Sequence, residues 1–145
     1  MAFADSIRTK AGTLEATATL IDTLYNYNEW TDWTPTLAGF SANPTSTSYR
    51  YRLDNGGCWV AVRQAVTGTS NATTFTISAP VVSATVTNGY WGAVCWQAYD
   101  NGAIITDVVA IIPTGSSTIT ISRQSGAAWT SSGGKMASFV LFYEA

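Results

Sequence analysis

The sequence predicts a mainly β protein, an antiparallel and jelly-roll-like β-sandwich of about eight or nine strands behind a short N-terminal α-helix. Three observations point there. Thr and Ser supply 36 of the 145 residues, while charged residues make up only 11%. Thr is β-branched and favours strands, and Ser and Gly serve turns. Runs of period two recur roughly every 8 to 12 residues, bounded by turn residues. Two Asp-Asn-Gly sequences, at 54–56 and 100–102, separate such runs with the residues that two-residue hairpins need. A chain of 145 residues and 15.4 kDa is the size of one domain that can bury a core.

Residues 1–29 read as a separate helical stub. Ile7, Ala11, Leu14, Ala18, Ile21 and Tyr25 alternate spacings of four and three, which keeps one narrow apolar seam facing partner helices. A helix this short is marginal alone. Ile7, Leu14, Ile21 and Tyr25 are therefore expected to meet the same residues of identical chains, or to lie on the chain's own β-domain. Residues 30–145 form the expected head. The aromatic junction around Trp30 and Trp33 ends at Pro35, which excludes further helix.

Strands follow in order. Thr45 to Leu53 places Tyr49, Tyr51 and Leu53 on one face and Arg50 and Arg52 on the other. Cys58 to Thr67 returns after the first Asp-Asn-Gly turn and is closed by a turn at Gly68-Thr69-Ser70-Asn71. Further strands are expected at Thr73 to Ser78, Val81 to Thr87, Tyr90 to Tyr99, Ile104 to Ile112, Ser117 to Arg123 and Met136 to Tyr143. Tyr90 to Tyr99 and Met136 to Tyr143 are apolar on both faces, and a two-sheet sandwich has only one inside. Neighbouring subunits are the expected cover, with Trp91, Phe139 and Phe142 as contact residues. The charge-poor stretch from Asn55 to Gly134, where Arg63, Asp100, Asp107 and Arg123 are the charged residues, agrees with assembly.

The composition also excludes function classes. A net charge of −2 and a pI near 4.8 offer no footprint for nucleic acid or an anionic membrane. The chain has no His, so Ser-His and Cys-His nucleophile pairs are closed to it, and the commonest metal ligand is missing. Asp54 and Asp100 sit in turns, where such side chains bond the backbone, and no EF-hand spacing surrounds them. No catalytic residue, metal or cofactor is expected. Cys58 and Cys95 lie in apolar runs and read as small buried hydrophobes. No secretory leader and no apolar window long enough to span a bilayer is visible, so synthesis and folding are expected in the cytoplasm.

Trp30-Thr31-Asp32-Trp33-Thr34-Pro35, then Tyr49-Arg50-Tyr51-Arg52, Trp59-Val60-Ala61-Val62, Gly68-Thr69-Ser70 and Thr73-Thr74-Phe75-Thr76-Ile77-Ser78-Ala79-Pro80, resemble a known pattern. It is the β-domain common at the C-termini of tailed-bacteriophage structural proteins: tail fibres, tail-tip proteins and head fibres. The resemblance covers about residues 30–145. It implies a homotrimer in the virion, joined to other virion proteins through its N-terminal stub, that attaches to a host surface or decorates the capsid. This chain departs from fibres in lacking a long shaft.

Glycan binding is the ligand chemistry that survives, because sugar faces stack on exposed aromatic rings. Trp129 is the leading candidate, since it lies in a Gly- and Ser-rich loop, Gln124 to Gly134. Tyr99, beside the second Asp-Asn-Gly turn, is the other. The competing expectations are an architectural cement protein without ligand and a monomeric carbohydrate-binding module.

Overall fold

The computed structural model describes residues 29–87 and 89–145, and among these it is all β. The stub contacts expected at Ile7, Leu14, Ile21 and Tyr25 lie outside the described residues. The described chain forms thirteen strands: β1 (Thr31–Asp32), β2 (Leu37–Ala38), β3 (Phe40–Ala42), β4 (Thr45–Asp54), β5 (Gly57–Val66), β6 (Gly68–Ser70), β7 (Thr76–Ser78), β8 (Tyr90–Val94), β9 (Gln97–Asp100), β10 (Ala103–Ile104), β11 (Val108–Pro113), β12 (Thr118–Arg123) and β13 (Gly134–Glu144). They make two antiparallel sheets packed as a sandwich. One sheet has eight strands, running β1-β4-β5-β13-β6-β3, with β9 on β13 and β10 on β9. The other has five, β2-β7-β12-β11-β8. The count exceeds the expected eight or nine because bends divide strands and because several two- and three-residue strands flank them.

Both Asp-Asn-Gly turns form hairpins. Asn55 and Asn101 have φ of 40° and 50°, followed by Gly56 and Gly102 at 84° and 83°. This is the left-handed pair that a two-residue hairpin turn requires. The core lies between the sheets. Cys58, Val60 and Val62 of β5 and Phe139, Leu141 and Tyr143 of β13 meet Ile77, Val108, Ala110, Ile112, Ile119 and Ile121. Burying each Val, Leu, Ile or Phe contributes about 1.5–3 kcal/mol.

Two expected elements differ. Val81 to Thr87 is irregular rather than a strand. Its Ser83 hydroxyl, buried, donates to Pro113 O (2.6 Å), and Ser83 N–H donates to Ser116 O (2.9 Å). Gly68–Ser70, expected to be a turn, is the strand β6. The ladder from β5 to β6 carries two extra residues: Phe139 pairs with Val62, but Lys135 pairs with Gly68. Buried Gln64 and Ser138 fill the irregularity. Ala137 N–H donates to Gln64 Oε1 (3.0 Å), Gln64 N–H donates to Ser138 Oγ (3.0 Å), and Gln64 Nε2 donates to Tyr49 OH (3.1 Å).

The doubly apolar strands are resolved in part within the chain. Lys135 to Phe139 of β13 are buried on both faces where β6 and β9 flank the strand, so Met136 needs no other subunit to cover it. Phe139 is a core residue, not an outward contact, because the inward positions of β13 are odd-numbered. Trp91 is half-buried and packs against the same core. Phe142 does face outwards, 39% exposed.

Candidate functional site

Trp129 is not a stacking platform. Its ring is 3% exposed, its indole N–H donates to Ile121 O (2.7 Å), and it meets the Phe75 ring edge-on at 5.4 Å. The Gly- and Ser-rich loop around it is an anchor rather than a free arm. Thr130 N–H and Oγ1 both donate to the Asp100 carboxylate (3.1 Å to Oδ2), and Ser70 Oγ donates to Thr130 O (2.6 Å).

The candidate acids and the buried cation are likewise committed to structure. Asp100 does not serve its own turn but holds Thr130, thirty residues away. Lys135 Nζ donates to Ala72 O (3.0 Å) and Thr74 O (2.9 Å) and lies 5.0–5.9 Å from the centres of the Phe40, Phe75 and Trp129 rings. Burial pulls its ammonium pKa down, and the nearby Asp100 pulls it back up. Asp107 pairs with Arg123 (3.3 Å) and accepts from the Ser125 hydroxyl; that hydrogen bond, before the Arg123 charge, holds its carboxyl below the usual range. Among the described residues, no cluster of three or more Cys, Asp or Glu could hold a metal. Cys58 and Cys95 are buried free thiols.

The remaining candidate, Tyr99, lies in a groove built by one hairpin. Strands β8 and β9 run up, and β10 and β11 run back. They share one register from Tyr90 opposite Pro113 at the base to Asp100 opposite Ala103 at the tip. The hairpin bends between Val94 and Gln97. Cys95 N–H donates to Val108 O (2.8 Å) in the five-stranded sheet, and the next residue, Trp96, donates its N–H to Ser138 O (3.1 Å) in the other. The inward positions change there from odd-numbered, at Trp91, Ala93 and Cys95, to even-numbered, at Ala98 and Asp100.

Trp96, outward in the same phase as Tyr90 and Val94, stands at this bend on a backbone fixed from both sides. Its ring is 59% exposed, and Ile104, cross-strand partner of half-buried Tyr99, is 66% exposed. Trp96, Tyr99 and Ile104 line a groove of about 520 Å³ with Gln97 and Thr106 at its walls and Cys95 beneath. An indole face, a phenol, an amide and a hydroxyl around an open groove can hold a pyranose ring and orient its hydroxyls.

From the sequence alone Trp96 reads as a core or interface residue rather than a ligand contact. The signal of its outward side was present, since alternation sets Tyr90, Val94 and Trp96 on one face. Tyr90 and Val94 are indeed exposed, 72% and 64%, and with Val109 and Ile111 they line a second groove of about 540 Å³ on the five-stranded sheet. Compared with known proteins, the chain matches no family model, no curated protein and no solved structure.

Proposed function

We propose that this chain is a non-enzymatic virion structural protein of the tailed-bacteriophage type. In this reading a jelly-roll-like head assembles as a homotrimer, is held to other virion proteins by its N-terminal stub, and attaches the particle to a neutral glycan on the host surface. The single observation that carries the attachment reading is the Trp96 ring, exposed on a backbone fixed by Ser138, with Tyr99 and Ile104 beside it. The likeness of residues 30–145 to phage β-domains supports the virion setting. Exposed Tyr90 and Val94 supply apolar surface for contacts between copies. Presenting three weak sites together would raise avidity without any new contact.

A neutral-glycan array, read with the wild-type chain and with Trp96→Ala, tests the reading. Binding that Trp96→Ala reduces about tenfold or more supports it. An array on which neither protein binds removes the adhesive role and leaves the architectural alternative, a capsid cement protein, which the apolar groove at Tyr90 and Val94 favours. Mass in solution separates both from a monomeric carbohydrate-binding module.

A further inference from the structure

We infer that the outer face of the eight-stranded sheet carries a second binding site, for a carboxylate-bearing sugar, centred on Arg52. This goes beyond the groove at Trp96 and does not depend on it.

The site follows from register. Trp30 precedes β1, whose Thr31 pairs with Tyr51; Arg52 pairs with Trp59, and Trp59 with Phe142. Trp30, Arg52, Trp59 and Phe142 therefore form one row across four neighbouring strands. With strands about 4.8 Å apart, the row is about 14 Å long, room for two or three sugar rings. Arg52 Cζ lies 5.4 Å from the Trp30 ring centre and 5.5 Å from that of Trp59, so the guanidinium stands between two indoles. Such stacking holds the planar fork in place without using its donors.

The adjacent row explains why Arg52 is the available charge. Asp32, Arg50, Ala61 and Val140 lie there in the same register. Arg50 is paired with Asp32 (3.2 Å) and donates from Nη2 to Trp30 O (3.0 Å), which also fixes the Trp30 backbone. Arg52 enters neither of the two ion pairs found among the described residues, and its Nε, buried, has no hydrogen-bond partner. Among the described residues Arg52 has no ion pair and no hydrogen bond; its buried Nε is closed to a ligand, so the two terminal nitrogens are the donors left for one. A carboxylate supplies two acceptors in the geometry of the fork. The flanking indoles favour a sugar as its carrier, because a pyranose C–H face can cover the ring while its carboxylate meets the guanidinium.

The test is binding of the full chain to immobilised polygalacturonate, alginate and polysialate, each beside its carboxyl-reduced form, with circular dichroism to confirm folding. The expected result is binding to at least one carboxylated glycan that weakens as salt rises and falls about tenfold or more on carboxyl reduction and in Arg52→Gln. Trp96→Ala should bind as wild type does, which separates this site from the neutral-glycan groove. Arg52→Lys keeps the charge and loses the fork; it should bind at least about threefold more weakly, and it decides the matter if Arg52→Gln does not fold. The site is overturned if no carboxylated glycan binds, if carboxyl reduction or the Arg52 variants change nothing, or if Trp96→Ala abolishes binding. Tighter binding to phosphomannan or to polyglutamate would overturn the carboxylated-sugar assignment as well.

Discussion

Asp100 and Lys135 face each other as a cross-strand pair of β9 and β13, and neither reaches solvent: Asp100 is 6% exposed and Lys135 is fully buried. Between them they organise the loops at this end of the sandwich, Lys135 through Ala72 and Thr74, Asp100 through Thr130. The two side chains do not bond each other, and removing the Lys135 ammonium leaves the Ala72 and Thr74 carbonyls without their buried donor, at a typical cost of about 1–3 kcal/mol for an unsatisfied buried group. Lys135→Ala should therefore lower unfolding free energy by about that much. Lys135→Met, which keeps the volume among the three rings, should cost less than Lys135→Ala. Urea denaturation of both variants checks the order; equal losses would mean that filling the space contributes nothing.

Gly57 and Phe142 are cross-strand neighbours for a steric reason. A Cβ on Gly57 would lie 2.3 Å from two atoms of the Phe142 ring. Gly57→Ala should cost about 1–3 kcal/mol. In a Phe142→Ala background the same change should cost less, since the ring is gone and only the Tyr143 carbonyl oxygen, 3.2 Å from the Cβ position, still crowds it. A double-mutant cycle measured by thermal melts reports the coupling, and additive losses would contradict the geometry.

The two tryptophans that the hairpin and loop place differently should part company on substitution. Trp129→Ala opens the core beside Phe75 and should cost about 3–5 kcal/mol. Trp96→Ala removes a largely exposed ring and should change stability by about 0.5 kcal/mol or less, while abolishing the proposed glycan binding. A stable Trp129→Ala protein would show that this loop does not seal the core.

Alkaline pH should unfold the chain early. Burial raises the Cys95 thiol from 9.0 to about 12, and also raises the Cys58 thiol and the Tyr49 and Tyr143 phenols above their ordinary values. In each case the unfolded chain gives up its proton first. Their contribution is complete below the unfolded values, near 9 for the thiols and 10 for the phenols, and is lost as pH rises towards the folded ones. Each such group takes away about 1.4 kcal/mol per pH unit while only its unfolded form titrates. Lys135 acts in the opposite sense. Its folded pKa is lowered, so below 10.5 the unfolded chain holds the extra proton and stability gains with pH. From pH 9 two thiols oppose one ammonium, and from about 10 the two phenols join them, so the urea midpoint should fall between pH 9 and 10.5. A midpoint that holds constant over that range would sink the prediction.

Much of the architecture was legible where one residue type settles the backbone. Asn55-Gly56 and Asn101-Gly102 mark both long hairpins, and Tyr49, Tyr51 and Leu53 mark the inward face of β4. Alternation fails where both phases are apolar. In β13 it separates Phe139 from Phe142 but cannot say which lies inside; Phe139 lies in the core and Phe142 faces outwards. It also fails at Val81 to Thr87, whose branched residues suit a strand but whose hydrogen bonds go through Ser83 to the turn after β11. The candidate site was half legible. Tyr99 stands in the groove, and alternation already sets Trp96 outward with Tyr90 and Val94; what no local pattern encodes is the bend that brings Tyr99 and Ile104 beside it. Trp129 was misread because Gly and Ser around it describe a pliable backbone and say nothing of whether its ring is drawn into the core.

The bent hairpin has a bearing on how the molecule comes apart. Cys95 and Trp96, consecutive in the chain, tie their amides to different layers, and their hairpin runs unbroken through both. Peeling away either layer must drag this shared ribbon with it. The two layers should therefore melt in a single concerted step, with hydrogen exchange at β8 and at β9 reporting the same opening free energy.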